Sequence, residues 1–513
     1  MLKIQHLTIC DSSSKSLIDD LSFVLNKNEK IAIIGEEGNG KSMLIKAIYN
    51  HEMIVDYAKI EGLIDMQFIC IGYLAQHLEN KWNACFIYEY LLKGEVDDEL
   101  DYNLYEEYEK ICSGIQIDKE LIYRNQKMQE LSGGERVKLQ LLKVLKDTPD
   151  CLLLDEPTND IDMETIHWLT RFIKDLKCAI LFISHDIDLI SNCAQRILHL
   201  EQRNKRNKPV WTMIDDRYSH YVEKRKETYE HERRHLAKQK REQKKKLNHI
   251  NDIKNAINYA QDTVPRAMPF VGRLLKKKMR IVKGIEARMD NEDFSMDFYE
   301  ESIHLKMELN VYHPSKCLLH MEEDVTIVGK LLINHAIVNI YGQDKVAVIG
   351  KNGVGKSILL KRIKQELSKQ ELEFAYMPQN YEELLNYHMS AIDFLLVNTN
   401  APLSQIQNHL GSIHLTVLEM GKSIQKLSEG QKAKLCIIYL ILKKPKILIM
   451  DEPTRNISPL SKPVLINLLK QFQGCLIFTT HDCYLLREVN PKTYEIENKE
   501  LKETINIVYK KKS

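Results

Sequence analysis

Short apolar runs, each closed by small or acidic residues, recur along the chain in two separated blocks. Ile31–Ile34 and Val346–Ile349 read as buried strands, and the segments behind them, Met43–Tyr49 and Ile358–Lys364, read as helices. Leu152–Glu156 and Leu448–Glu452 pattern as central strands ending in two carboxylates; Ala179–Ser184 and Cys475–Thr480 pattern as further buried strands. Between the blocks the pattern changes. From Tyr218 to Tyr259 there is no Pro or Gly, and Leu247, Ile250, Ile253 and Ile257 recur every three or four residues. This predicts one apolar stripe on a helix on the order of 60 Å long. Pro265, Pro269 and Gly272 break that helix. A second resumes near Arg273, with Leu275, Met279, Val282 and Met289 as its stripe and Lys276, Lys277, Lys278 and Arg280 on other faces. The predicted layout is an α/β block at 1–210, a basic helical hairpin at 211–300 and a second α/β block at 301–513.

Charge sharpens this division. The 513 residues hold 73 Lys+Arg against 72 Asp+Glu, a formal charge of +1. Between Arg217 and Asp290 there are 21 Lys+Arg and 9 Asp+Glu, a net +12, so the rest of the chain sums to −11. A cationic segment between acidic blocks suits a polyanionic partner. Hydrophobic residues at 44% with 28% charged are ordinary globular composition and exclude wholesale disorder. No apolar run approaches the roughly 18 residues that cross a bilayer, and the first ten residues lack a signal-peptide pattern. Eleven cysteines without a CxxC pair argue for a reducing cytosol and against a disulfide framework or zinc site.

The chemistry is carried by a repeat. Gly35–Ser42 is GEEGNGKS and Gly350–Ser357 is GKNGVGKS, each between a strand and a helix. In such a loop the glycines (Gly35, Gly38 and Gly40; Gly350, Gly353 and Gly355) let backbone N–H groups face phosphates, and the helix N-terminus adds partial positive charge. Lys41 and Lys356 would reach the β- and γ-phosphates, and Ser42 and Ser357 would ligate Mg²⁺. Asp155 and Asp451 would support the metal through water, and Glu156 and Glu452 would polarise the attacking water. Leu131–Glu135 (LSGGE) and Leu427–Gln431 (LSEGQ) open Lys- and Leu-rich helices, which makes Ser132 and Ser428 either a second anion site or plain helix caps. His185 and His481 follow matched strands. Ser132 to Ser428, Glu156 to Glu452 and His185 to His481 are each 296 apart; Gln76 to Gln379 is 303 and Lys41 to Lys356 is 315. The blocks share a fold and differ in their upstream loops.

In this order the motifs resemble those of the ATP-binding-cassette ATPases, over the whole chain outside the central segment. The resemblance implies two tandem P-loop cassettes that close head to tail, with ATP and Mg²⁺ as cofactors. Gln76 and Gln379 take the Q-loop place on Mg²⁺, Ser132, Gly133, Gly134, Ser428 and Gly430 take the signature place on nucleotide, and His185 and His481 act as switch histidines beside the catalytic Glu156 and Glu452. Two cassettes joined by a basic helical hairpin resemble the ABC-F class, whose hairpin enters the ribosomal tRNA exit site. This implies a cytoplasmic monomer that contacts 23S rRNA and P-site tRNA, without membrane or DNA partners. Glu452–Ser461, EPTRNISPLS, is similar to the branch that protects ribosomes from lincosamides, pleuromutilins and streptogramin A. The tip residues that would act are Val264, Pro265, Arg266, Met268 and Phe270, either at the drug site or through rRNA.

Three departures qualify the resemblance. The second D-loop has Ser458 where the first has Asp162, and the second signature has Glu429 in place of a glycine. Both fall in the composite site of Lys41 with Ser428, so that site is expected to hydrolyse more slowly than the site of Lys356 with Ser132. No aromatic stands near Cys10 or Thr326–Val328 to stack on adenine, which leaves GTP use open beside ATP. A housekeeping translation factor and a transporter ATPase subunit are the competing readings.

Overall fold

The computed structural model describes residues 1–12, 14–68, 70–203, 208–263, 273–274, 276–282, 312–327, 329–413 and 415–504. The two apolar blocks fold into two cassettes built alike. In the first, a six-stranded sheet runs Ile71–Leu74, Cys151–Asp155, Ala179–Ile183, Lys30–Ile34, Arg196–Arg203, Lys208–Ile214. In the second the order is Phe374–Met377, Ile447–Asp451, Cys475–Thr479, Lys345–Gly350, Lys492–Glu497, Glu500–Thr504. Each sheet is parallel except for its last strand. The three inner strands before the edge hairpin are apolar on both faces because helices cover both sides. Every residue of Cys151–Asp155, Ala179–Ile183, Ile447–Asp451 and Cys475–Thr479 is buried.

An antiparallel sheet flanks each core: Ser16–Leu25, Leu2–Asp11 and Ala58–Met66 in the first cassette, Cys317–Ile327 with Lys330–Tyr341 in the second. Helices inserted between the strands Ile71–Leu74 and Cys151–Asp155 form a smaller lobe around Trp82, Tyr90 and Tyr108. That lobe delivers the helix Gly133–Leu145 to the sheet; its counterpart in the second cassette is Glu429–Lys443. All eleven cysteines are free thiols.

The chain divides into two units, 1–218 with 300–513, and 219–299. In the second unit a 46-residue helix, Tyr218–Thr263, begins at the boundary. Ile250, Ile257 and Val282 are buried together with Met279 against them, while Lys276, Lys277, Lys278 and Arg280 are exposed. Ile253, expected on the stripe, is instead 37% exposed. The expected tip, Val264, Pro265, Arg266, Met268 and Phe270, lies outside the described residues. Among the described residues no helix is long and apolar enough to cross a membrane.

Candidate functional site

Each phosphate loop runs from the end of its central strand into a helix, Lys41–Tyr49 or Lys356–Lys369. Gly35 has φ 147° and Gly350 φ 145°; a Cβ on them would lie 2.2 Å from the Leu200 carbonyl oxygen and 2.7 Å from that of Ile496. Only glycine fits where the loop passes so close to the neighbouring strand. Lys41 Nζ donates to the carbonyls of Gly35 and Glu36, both at 2.9 Å, and Lys356 Nζ to those of Gly350 and Lys351 at 3.0 and 2.9 Å.

The strands that end in Asp155–Glu156 and Asp451–Glu452 bring carboxylates to these loops. Ser42 Oγ donates to Asp155 at 2.9 Å, whereas Asp451 receives Thr479 Oγ1 at 2.5 Å. Burial pushes Asp155 up to about 6. Glu156 and Glu452 both take left-handed backbone angles, φ 50° and 52°. Left-handed angles are unfavourable for residues other than glycine, and they are concentrated at functional sites.

The surroundings of these two glutamates differ. Glu156 accepts from Gln76 Nε2 at 3.0 Å and Asn159 Nδ2 at 2.6 Å, and contacts His185 Nε2 at 3.1 Å. Burial opposes its charge, but His185, Lys41 and Asn159 outweigh burial and bring it down to about 2. Glu452 accepts from the His481 backbone N–H at 3.2 Å, its buried Oε1 has no hydrogen-bond partner among the described residues, and His481 Nε2 stands 3.6 Å away. Burial and Asp451 raise it to about 7 despite Lys356. Burial and Lys356 push His481 down to about 3. Arg455, which matches Asn159, turns away and pairs with Asp160 of the first cassette at 2.6 Å.

The signature serines cap their helices. Ser132 Oγ accepts from the Glu135 N–H and Ser428 Oγ from the Gln431 N–H, both at 3.3 Å. Both serines are therefore helix caps. The second signature meets the first phosphate loop: Gly430 N–H donates to Glu37 at 2.5 Å, and Lys434 pairs with Glu36 at 2.6 Å. On the other side, Asn352 of the second phosphate loop donates to the Asp160 carbonyl at 2.7 Å. The cassettes thus meet head to tail.

A cavity of about 430 Å³ lies at the second loop, lined by Gly353, Gly355, Lys356 and Ser357. Gln379, Asp451, Glu452 and His481 also face it, as do Asp160 and Ile161 of the first D-loop, but Ser132 does not. Lys356, Ser357 and Gln379 on the wall of this cavity suit a metal-bound triphosphate, while Glu452 Oε1 and His481 Nδ1 are buried without partners among the described residues, as is His185 Nδ1 in the first cassette. Glu429, the departure in the second signature, pairs with Lys432 at 2.7 Å. The residues missed in the sequence are Glu36, Glu37, Lys434 and Ser461. The available signal was the acidic pair inside a phosphate loop, where the second loop has Lys351 and Asn352.

A family profile described as "ABC transporter" matches residues 18–159 and 333–455, just over half of the chain. The chain belongs to the ABC transporter family. This ABC protein is 28% identical over 510 residues to the ATP-binding protein Uup of Buchnera aphidicola, covering 96% of the chain and 80% of that relative. It is 23% identical over 530 residues to ABC transporter F family member 5 of Arabidopsis thaliana, covering 94% and 73%. Its fold is similar to that of the archaeal ribosome recycling factor aABCE1, crystallised with the ribosomal stalk protein aP1, with TM-score 0.56, 14% identity and coverage of 95% and 87%. It is an ABC-F-type tandem ATP-binding protein with the cassettes of an ATPase.

Proposed function

We propose that this ATPase binds the ribosome at the tRNA exit site through its basic inter-cassette segment and protects it from peptidyl-transferase-centre antibiotics of the lincosamide, pleuromutilin and streptogramin A classes. The observation behind this reading is the long helix of the second unit, with an apolar cluster on one face and exposed Lys276, Lys277, Lys278 and Arg280 beside it. Clustered cations on helices suit the phosphates and shape of folded RNA. The partners are then 23S rRNA and P-site tRNA, the location is the cytoplasm, and the chain acts as a monomer. The EPTRNISPLS string supports the resistance branch.

ATP hydrolysis would release the protein. In this reading the loop amides with Lys41 or Lys356 hold the phosphates, and Ser42, Gln76, Ser357 and Gln379 hold Mg²⁺. The metal, when bound, supplies neutralisation of phosphate charge. Glu452, held near neutrality, accepts a proton from water; Glu156, already tied by three side chains, is a weak base.

The Glu156→Gln/Glu452→Gln double variant tests the partner. With ATP it is expected to sediment with ribosomes and stay there; pelleting with membranes instead would favour a transporter subunit. A deletion strain should become drug-susceptible and be rescued by the intact chain but not by variants at Met268 and Phe270. Unchanged susceptibility would favour a housekeeping translation factor.

A further inference from the structure

The two phosphate loops differ in charge at matched positions: Glu36 and Glu37 stand where the second loop has Lys351 and Asn352. Nothing in phosphate chemistry asks for carboxylates there. Glu36 is buried, and the second cassette takes both of its oxygens. Oε2 accepts from Lys434 Nζ at 2.6 Å; Oε1 accepts from Ser458 Oγ at 2.6 Å and Ser461 Oγ at 2.7 Å. Lys434, Ser458 and Ser461 are themselves buried. Glu37 adds its bond to the Gly430 N–H, at the start of the signature helix. Burial opposes the Glu36 charge, but the Lys434 ammonium and the two hydroxyls outweigh it and hold the carboxyl well below the usual range. All of these bonds join protein atoms, so none requires nucleotide.

The opposite side is built differently. Lys351 reaches Glu164 at 2.7 Å and Arg455 reaches Asp160 at 2.6 Å, but those side chains are 68% and 70%, and 38% and 56%, exposed, against 5% and 9% for Lys434 and Glu36. An exposed pair is screened and holds little. A buried pair is favourable when its geometry is good and its remaining lone pairs are filled. Ser458 and Ser461 meet that condition.

We infer that Glu36 and Glu37 form a latch that keeps the Lys41 side of the cassette pair closed with or without nucleotide, so that ATP-driven opening and closing take place at the Lys356 side. The latch residues are positioning residues: they set the spacing between the first phosphate loop and the second signature. The Ser458 departure in the D-loop is then a component of the latch, since its hydroxyl reaches Glu36 from the other cassette. The latch stands independently of the ribosome reading and is measured on the protein alone.

Hydrogen–deuterium exchange of the full chain, with and without ATP and Mg²⁺, tests it. Without ATP, amides of 35–42 and 428–434 should already be protected and change less than about twofold on adding ATP, whereas those of 350–357 and 158–162 should slow by about tenfold or more. In Glu36→Gln/Glu37→Gln, the first set should exchange about tenfold faster without ATP and regain protection when it is added. Reversing the pair, Glu36→Lys with Lys434→Glu, should restore protection. Peptides from Cys151–Asp155 and Ile447–Asp451 report that each variant is folded. Equal ATP-dependent protection of both sides in the unaltered chain would overturn the latch, whatever the variants do.

Discussion

The two composite sites use the same motifs and differ in what surrounds them. At the Lys41 side Glu156 is held by Gln76, Asn159 and His185, and the phosphate loop is tied to the other cassette by Glu36 and Glu37. At the Lys356 side Glu452 keeps a buried oxygen without a partner among the described residues beside a cavity, and the ion pairs across the interface, Lys351 with Glu164 and Arg455 with Asp160, are at least one-third exposed. The difference shows that a motif reports which groups are present, while their neighbours decide their basicity and mobility. Buried bonds between the cassettes gather at the Lys41 side, and at the Lys356 side the bonds between cassettes are more exposed.

The largest test of this contrast is the pair of glutamate variants. General-base catalysis contributes about 10²–10⁴-fold, so Glu452→Gln should lower single-turnover hydrolysis by at least about 100-fold and Glu156→Gln by less than about tenfold. Equal losses would erase the distinction. The same assay carries a pH signature. In Glu156→Gln protein the rate should climb as pH rises through about 7, because Glu452 must lose its own proton before it can accept one. In Glu452→Gln protein the residual rate should be flat there, since Glu156 ionises near 2.

A smaller effect is expected in stability. Lys434→Met leaves Glu36 buried without its cation, a change that costs about 3–5 kcal/mol in comparable pairs. Lys351→Met removes an exposed pair and should cost less than about 1 kcal/mol. Thermal denaturation of the two variants side by side measures the gap, and similar midpoints would count against a buried network on one side only. The smallest effect belongs to Glu429→Gly. Its carboxylate is already paired with Lys432. The substitution should change steady-state ATPase by less than about twofold, because a half-exposed pair contributes little. A large gain would restore Glu429, rather than Glu36 and Glu37, as the source of the asymmetry.

Much of the fold was legible because nucleotide chemistry demands particular residues at fixed spacings, and this chain repeats them. Strands such as Cys151–Asp155 and Ile447–Asp451 are apolar up to their terminal aspartate because both faces are covered, and that pattern is local. The contrast between Glu156 and Glu452 was not legible. It depends on Asn159 bonding inward while Arg455 reaches across to Asp160. Nor was the partner of Glu36 visible, since Lys434 lies 398 positions away. On the long helix, periodicity placed Ile250 and Ile257 correctly but also nominated Ile253, which faces solvent. A three- or four-residue spacing defines a stripe without fixing its width.

The signature glycines point to a wider consequence. Gly133 sits where a Cβ would lie 2.0 Å from the Asp160 carbonyl oxygen, yet the matching position in the second half is Glu429. The second half carries a side chain there, and its D-loop differs in sequence, with Ser458 where the first has Asp162. Signature and D-loop thus both differ between the halves. Grafting the second signature onto the first half would drive its side chain into the Asp160 backbone, and two copies of either half would lack the complementary charges that join them. This repeat has outlived its symmetry: its halves still look like duplicates, but they are no longer exchangeable parts.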